Sequence, residues 1–421
     1  MGKGVFNKKK LNDLIVYGLG QGVNILGPLL VMPHLISVCG ERGLGKIGVG
    51  FSIALILNGI VDYGSYINGV RDISINRNDR NYVTKKFQDI YASKTILLAG
   101  VLSVFSILIL TVPYLAKEKT LFFFSLAMVV GQYLSPAWYF QGLESFKAIS
   151  FANILAKAIY IGCVFAFINT PSAYVLANLF FGLGTVVANG IILIYLLKSN
   201  KITLLGNGLN GGLKILKEEM SFSFSQFFLS LYQYFPIVAI SYIGGDFMAG
   251  QFRIIDQIVS VFKSYLNMFF YFSYSNICYD INKSLRFGLK TWMSYNGINF
   301  ILMLAGLTMV FFGTDLLFDY FRVDAAVSEN LGYYFRIGLS IPLLISVSLP
   351  LRQLMFAFEK NRIYITITIL ATCLNIALLL FLTALNGLAG SLLSIILVEV
   401  VVITLYLAIL SRHLIKALKL N

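Results

Sequence analysis

Polar side chains recur at helical spacing in one apolar stretch of the second half of the chain, between residues 253 and 267. At about 100° per residue they fall within about 120° of one another, and apolar residues cover the rest of the helix. The polar set is Arg253, Asp256, Gln257, Ser260, Lys263, Ser264 and Asn267. Guanidinium and ammonium groups on one hydrated face predict a surface that binds phosphate oxygens. The alternative is a structural ion pair between Arg253 and Asp256.

Ionisable side chains interrupt several other apolar stretches. A charge near the middle of a bilayer costs roughly 2.5–3.5 kcal/mol on insertion scales, so such a residue usually faces a cavity or a partner. The residues that we predict to contact a substrate are Arg253, Lys263, Arg336, Lys157, Gln257, Asn267 and Asn24. The acids that we predict as candidates for ion coupling are Asp62, Asp256 and Glu399. Outside the polar stretch, a hydrogen bond between helices explains these residues equally well.

The composition indicates that these residues lie in lipid. Of 421 residues, 58% are hydrophobic and 12% are charged, whereas a soluble domain has about 25% charged residues. Apolar stretches of about twenty residues, the length that crosses a bilayer as a helix, recur throughout the chain. The sequence therefore predicts an all-α polytopic membrane protein.

The remaining composition excludes several other classes of protein. The net charge of +14 is dispersed between apolar segments, so nucleic-acid binding is not expected. Four separated cysteines without a CxxC pair, and only two histidines, predict neither a disulfide framework nor a metal site. The segment GERGLGKI fits the spacing G-x4-G-K, but Ile47 replaces the Ser or Thr that would bind magnesium, so ATP binding is not expected. We predict no cofactor, and an ion or substrate gradient as the energy source.

Apolar runs and the breaks between them predict twelve transmembrane helices. These lie at 12–38, 44–69, 89–113, 119–141, 149–169, 173–197, 220–243, 247–276, 288–314, 330–355, 362–384 and 388–411. We expect two six-helix lobes around a central cavity, residues 1–198 and 220–421, joined by a cytoplasmic linker, residues 199–219. A shift of 205 residues pairs Gln21 with Gln226, and prolines break the first and seventh spans at similar depths, as in transporters built from repeats.

The basic residues predict the orientation. In the tails, the loops and the ends of the predicted spans, 24 Lys and Arg residues lie on the side of the N-terminus and 5 on the opposite side. Both termini should therefore be cytoplasmic. The N-terminal MGKGVFNKKK precedes an apolar segment of more than twenty residues without a cleavage site, so we interpret that segment as a retained first span.

A polar cluster, SPAWYFQGLESFK, separates the fourth and fifth predicted spans. Trp138 and Tyr139 are typical of the membrane interface, where an apolar ring has a wet edge. A turn at Gln141 and Gly142 and a pair between Glu144 and Lys147 at the next helix start would follow. The segment thus predicts a hinge and no catalytic site.

Two segments resemble the signature regions of Wzx-type O-antigen flippases, in the polysaccharide-transporter branch of the multidrug/oligosaccharidyl-lipid/polysaccharide exporter superfamily. They are PHLISVCGERGLGKIGVGFSIALILNGIVDYGSYINGVRDISINRND, residues 33–79, and SPAWYFQGLESFKAIS, residues 135–150. Asp62 and Arg71 match the family's Asp-x-Gly and Arg-x-Ile positions, and the match implies a gating role for Asp62 at the inner face.

The resemblance implies a flippase that moves an undecaprenyl-pyrophosphate-linked oligosaccharide from the cytoplasmic to the periplasmic leaflet of a bacterial inner membrane, as an ion-coupled antiporter working by alternating access. It implies the lipid bilayer, an O-antigen polymerase and a chain-length regulator as partners, and we expect a monomer. Two alternatives remain open. A multidrug exporter of the same superfamily would favour acids for cationic drugs, against the excess of cations here. A membrane glycosyltransferase or O-antigen polymerase usually has larger outer loops than those predicted.

Overall fold

The computed structural model describes residues 8–206 and 209–419, and within this part the chain is helical without a strand. The α-helices are α1 Lys8–Asp62, α2 Val70–Ile75, α3 Arg80–Thr111, α4 Pro113–Ala116, α5 Lys119–Tyr133, α6 Ala137–Gly142, α7 Phe146–Phe167, α8 Leu176–Asn200, α9 Asn210–Lys283, α10 Leu285–Phe312, α11 Thr314–Phe321, α12 Ala325–Gly338, α13 Ser340–Ala357 and α14 Asn361–Lys419. A π-helix, Ser65–Gly69, and a 3₁₀-helix, Pro171–Val175, complete the described elements. The chain forms two compact units, Met1–Phe235 and Pro236–Asn421.

Three helices, α1, α9 and α14, are interrupted by a glycine with non-helical backbone angles. Gly40 has φ 65° and ψ 177°, and Gly245, 205 residues later, has φ 81° and ψ 173°. This conformation is open essentially to glycine alone, so the backbone supports the repeat predicted at that shift. The side chain of Gln21 lies outside the described residues.

The interruption in α14 reverses the chain. Gly387 has φ 57° and ψ −134°, and the hydroxyl oxygens of Thr383 and Ser391 on either side of it lie 2.9 Å apart. Eight residues of straight helix would separate them by about 12 Å. The helix therefore folds back at this glycine, as a membrane hairpin requires.

Nine helices of the described ranges are long and apolar enough to cross a membrane. Three of them, within α1, α9 and α14, have 41, 58 and 54 residues, whereas about 20 residues cross a bilayer. Their glycine interruptions fall in the breaks predicted between spans 1 and 2, 7 and 8, and 11 and 12. The fourth and tenth predicted spans are each divided, into α5 with α6 and α12 with α13. Much of the predicted linker is helical, since α9 begins at Asn210.

Small residues let the helices of the first unit approach closely. At Gly182 in α8, a Cβ atom would lie 2.6 Å from the backbone of Ala127 in α5. At Gly184, it would lie 2.4 Å from the carbonyl oxygen of Ala156 in α7. Glycine at such contacts is how membrane helices gain packing without a hydrophobic driving force. Helix α8 is thus packed against both neighbours.

The wet edge predicted for the rings of Trp138 and Tyr139 is wrong, because both side chains are buried inside the first unit. Their position at the membrane interface stays a prediction. Trp138 is 0% exposed and its ring stacks on Phe87, with centroids 5.8 Å apart. Burial of the aromatic rings against α3 outweighs the advantage of a wet edge. The predicted pair of Glu144 with Lys147 is replaced by an ion pair of Glu144 with Arg77, at 3.4 Å. The segment does turn there, with Glu144 in the left-handed region at φ 56°.

Candidate functional site

The first unit contains a cavity of about 310 Å³ between α1, α5, α6, α7 and α8. Six carboxamides and three hydroxyls are among its lining groups. The carboxamides belong to Asn24, Asn58, Gln132, Gln141, Asn153 and Asn189, and the hydroxyls to Tyr66, Ser135 and Thr185. Its volume is at the lower end of the range for small-ligand sites. Neutral donors and acceptors in this number suit a ligand with many hydroxyl groups.

Lys157 is the one charged residue among those that line this cavity. The residue is 6% exposed, and its Nζ lies 3.7 Å from the centroid of the Phe181 ring. No carboxylate of the described residues pairs with it. The ring face attracts the ammonium group but does not neutralise it. Two of the predicted substrate contacts, Lys157 and Asn24, are therefore in one cavity.

A network of charged and polar groups adjoins the cavity at the end of α1. The Lys94 Nζ lies 3.1 Å from Oδ1 of Asp62, and Nε2 of Gln132 donates to Oδ2 of Asp62 at 2.8 Å. The same amide nitrogen lies 3.3 Å from the hydroxyl of Tyr66. Gln132 and Tyr66 both line the cavity. Gln132 thus connects the ion pair of Asp62 and Lys94 to the cavity.

In the second unit, Asp256 lies between two cations of α9. Its Oδ2 is 3.3 Å from Nη1 of Arg253 and its Oδ1 is 3.7 Å from Nζ of Lys263. The exposed fractions of the three side chains are 24%, 17% and 33%. The ion pair that was the alternative interpretation is therefore present, and a phosphate-binding face stays a prediction. Asp256 is thus in contact with both cations of the predicted polar face.

The other predicted residues of the second unit lie on α9, α12 and α14. Gln257 is buried and Asn267 is exposed. Arg336 is exposed on α12, with its guanidinium carbon 5.4 Å from the ring centroid of Phe311. Glu399 is buried and accepts a hydrogen bond from the Ser348 hydroxyl.

Two charged residues inside the packing were missed from the sequence. Lys94 is 0% exposed in α3, and Arg352 lies within α13 with its guanidinium carbon 4.9 Å from the ring centroid of Phe270. Both were counted with the cytoplasmic basic residues because they lie near the ends of apolar runs. The signal for Lys94 was available: opposite charges at the facing ends of two consecutive spans are expected to be neighbours.

Comparison with known proteins places the chain in a family. Residues 11–273 match the family model described as polysaccharide biosynthesis protein. The chain belongs to this family. Two curated relatives are each 26% identical and carry the name "Putative O-antigen transporter". The match to the Escherichia coli (strain K12) relative covers 62% of this chain and 63% of that protein, and the match to the Shigella dysenteriae relative covers 94% and 98%.

Solved structures show the same fold for this family member. An inward-facing MATE multidrug transporter of the MOP superfamily matches with a TM-score of 0.71 and 15% identity, over 96% of this chain and 95% of that one. The lipid II flippase MurJ, in an inward closed conformation, matches with a TM-score of 0.75 and 10% identity, over 94% and 87%. With its apolar helices, the family member is a multi-pass membrane protein.

Proposed function

We propose that this protein is a flippase that moves an undecaprenyl-pyrophosphate-linked oligosaccharide, such as an O-antigen repeat unit, from the cytoplasmic to the periplasmic leaflet of a bacterial inner membrane. The observation behind the proposal is the polarity of the cavity in the first unit. Its lining combines carboxamides and hydroxyls with one cation and no acid. Such a surface suits sugar hydroxyls and negative charge, and it disfavours the cationic drugs of a multidrug exporter.

The proposed topology has twelve spans with both termini in the cytoplasm. Helices α1, α9 and α14 would each cross the bilayer twice, divided at Gly40, Gly245 and Gly387. In favour of this division, each helix has an apolar part at least twice as long as one crossing needs. The six-helix lobes would be residues 1–198 and 220–421, with residues 199–219 as the linker between them.

Arg253, Lys263 and Arg336 are the proposed contacts for the pyrophosphate. Arginine offers a planar fork of donors for phosphate oxygens, and lysine a compact charge. The closeness of Arg253 and Lys263 to one shared carboxylate supports their assignment to a common site. Asp62, Asp256 and Glu399 remain the candidates for coupling to an ion gradient, in an alternating-access cycle.

Reconstitution tests the function directly. Purified protein in sealed vesicles with a fluorescent undecaprenyl-pyrophosphate oligosaccharide in both leaflets should expose additional sugar to an impermeant glycosidase as lipid crosses to the outer leaflet. Vesicles containing Arg253→Gln with Lys263→Gln provide the matched control. Translocation no faster than in protein-free vesicles, across several oligosaccharides, would reject the proposal.

A further inference from the structure

We propose that the cavity of the first unit binds one acidic sugar residue of the transported oligosaccharide, with a single carboxylate placed at Lys157. This inference rests on the proposed function, and it assigns the sugar and the pyrophosphate to different sites. It also predicts that the favoured substrate contains a uronic acid or a sugar of equivalent charge.

The charge of Lys157 calls for one anion. A lysine more than nine-tenths buried is costly without a counter-charge. Its environment offers an aromatic face 3.7 Å away, which leaves the hydrogen-bonding capacity of the ammonium group available. The nearby acid Asp62 is already held by Lys94 at 3.1 Å and by Gln132 at 2.8 Å. A ligand carboxylate would supply the missing negative charge.

The neutral lining identifies the rest of the ligand as a polyol. The side-chain oxygen of Asn58 is buried and accepts no hydrogen bond from the described residues, so it is ready for a hydroxyl donor. The amides of Gln132 and Asn189 are already oriented by hydrogen bonds of 2.8 Å to Asp62 and to the Gly131 carbonyl. Phe140 and Phe181 add two apolar ring surfaces to the lining. A sugar ring combines the hydroxyls and the apolar face that such a surface would contact.

The same lining is a poor match for the pyrophosphate group. Two linked phosphates recruit several cations, and arginine forks above all, whereas this cavity has one lysine and no arginine. A prenyl chain is excluded because burying the carboxamides against it would leave them without partners. Of the three parts of the substrate, the sugar is the one that fits.

Binding of monosaccharide probes to the detergent-purified full-length protein tests the inference. By saturation-transfer NMR, methyl glucuronide should bind at least about tenfold more tightly than uncharged methyl glucoside, as expected when a hydrogen bond to a charged group is gained. Lys157→Gln should remove that preference, Lys157→Arg should retain part of it, and Lys147→Gln, on the exposed side of the same helix, should leave it unchanged. Inorganic pyrophosphate should not displace the glucuronide.

Three results would overturn the inference: equal binding of the two sugars, a preference that survives Lys157→Gln, or displacement by pyrophosphate with the same dependence on Lys157. If Lys157→Gln does not fold, the partial loss of the glucuronide preference expected for Lys157→Arg still tests the inference. The vesicle assay separates the two proposals. Glucuronide preference without translocation of any lipid-linked oligosaccharide would reject the flippase and leave the sugar site. Translocation at a rate that depends neither on acidic sugars nor on Lys157→Gln would reject the sugar site and leave the flippase.

Discussion

The buried ion pair between Asp62 and Lys94 is predicted to stabilise the first unit only while both partners are present. Lys94→Met keeps the length of the side chain and removes its charge, which leaves a carboxylate that is 17% exposed with Gln132 as its remaining donor. Removing one member of a buried pair costs about 3–5 kcal/mol, because the other charge stays desolvated. Since Asp62 adjoins a polar cavity that can admit water, the lower end of that range is expected.

The double substitution Lys94→Met with Asp62→Asn should recover most of this loss, because no unpaired charge remains. Thermal midpoints from size-exclusion chromatography of heated, detergent-purified protein measure both effects. Lys214→Met, which breaks an exposed pair with Glu218 at 3.8 Å on α9, is the control and should change stability by less than about 1 kcal/mol. A single variant as stable as the unmodified protein, or a double variant as unstable as the single one, would refute the reasoning. If Asp62 also couples an ion, the double variant should be stable but inactive in transport.

Three further outcomes are expected. Gly182→Ala should lower the thermal midpoint, because its Cβ would lie 2.6 Å from the backbone of α5 and overpacking costs about 1–3 kcal/mol. Gly162→Ala is the control and should leave the midpoint unchanged, because its Cβ would have no atom within 4 Å. Equal effects of the two substitutions would show that packing is not the cause. Burial raises the pKa of the Glu219 carboxyl, which precedes the apolar part of α9. The folded state therefore binds this proton more tightly than the unfolded state, and the resulting stability is lost as pH rises through the folded pKa. Glu219→Gln should flatten the decline of the thermal midpoint as pH rises above the ordinary pKa range of glutamate, and an unchanged slope would assign the decline to other groups. Single cysteines at Thr203 and Asn386 should react with impermeant reagents from opposite sides of the membrane, and labelling from the same side would exclude the twelve-span topology.

The sequence was most informative where physical constraints are local. Glycine between two apolar runs predicted breaks near residues 40, 245 and 387, and the backbone has its non-helical angles at those glycines. Helical spacing placed Arg253 beside Asp256, and their side chains are in contact. Both predictions follow from backbone sterics and from the geometry of one helix, and neither needs the position of a second helix.

What depends on contacts between helices could not be predicted. Hydropathy treats Trp138 as an interfacial ring, but its burial is determined by the approach of α3, which brings Phe87 against it. Likewise, Asn58 gains its significance from cavity residues on other helices, such as Gln132 and Lys157. Five helices line the cavity. The periodicity of polar residues in one helix does not reveal which other helices contribute polar residues to the same cavity.

The Asp256 carboxylate is expected to compete with a bound anion for the cations around it. Arg253 and Lys263 both lie within 4 Å of that carboxylate, so phosphate oxygens would have to displace it from the two cations. Asp256→Asn removes the competing charge and keeps the shape of the side chain. The affinity of detergent-purified protein for inorganic pyrophosphate should therefore increase in this variant, by about fivefold if the ion pairs that are lost contribute about 1 kcal/mol. Asp246→Asn on the same helix should behave like the unmodified protein. An affinity that Asp256→Asn leaves unchanged or lowers would refute the competition and support a role for Asp256 in positioning the two cations.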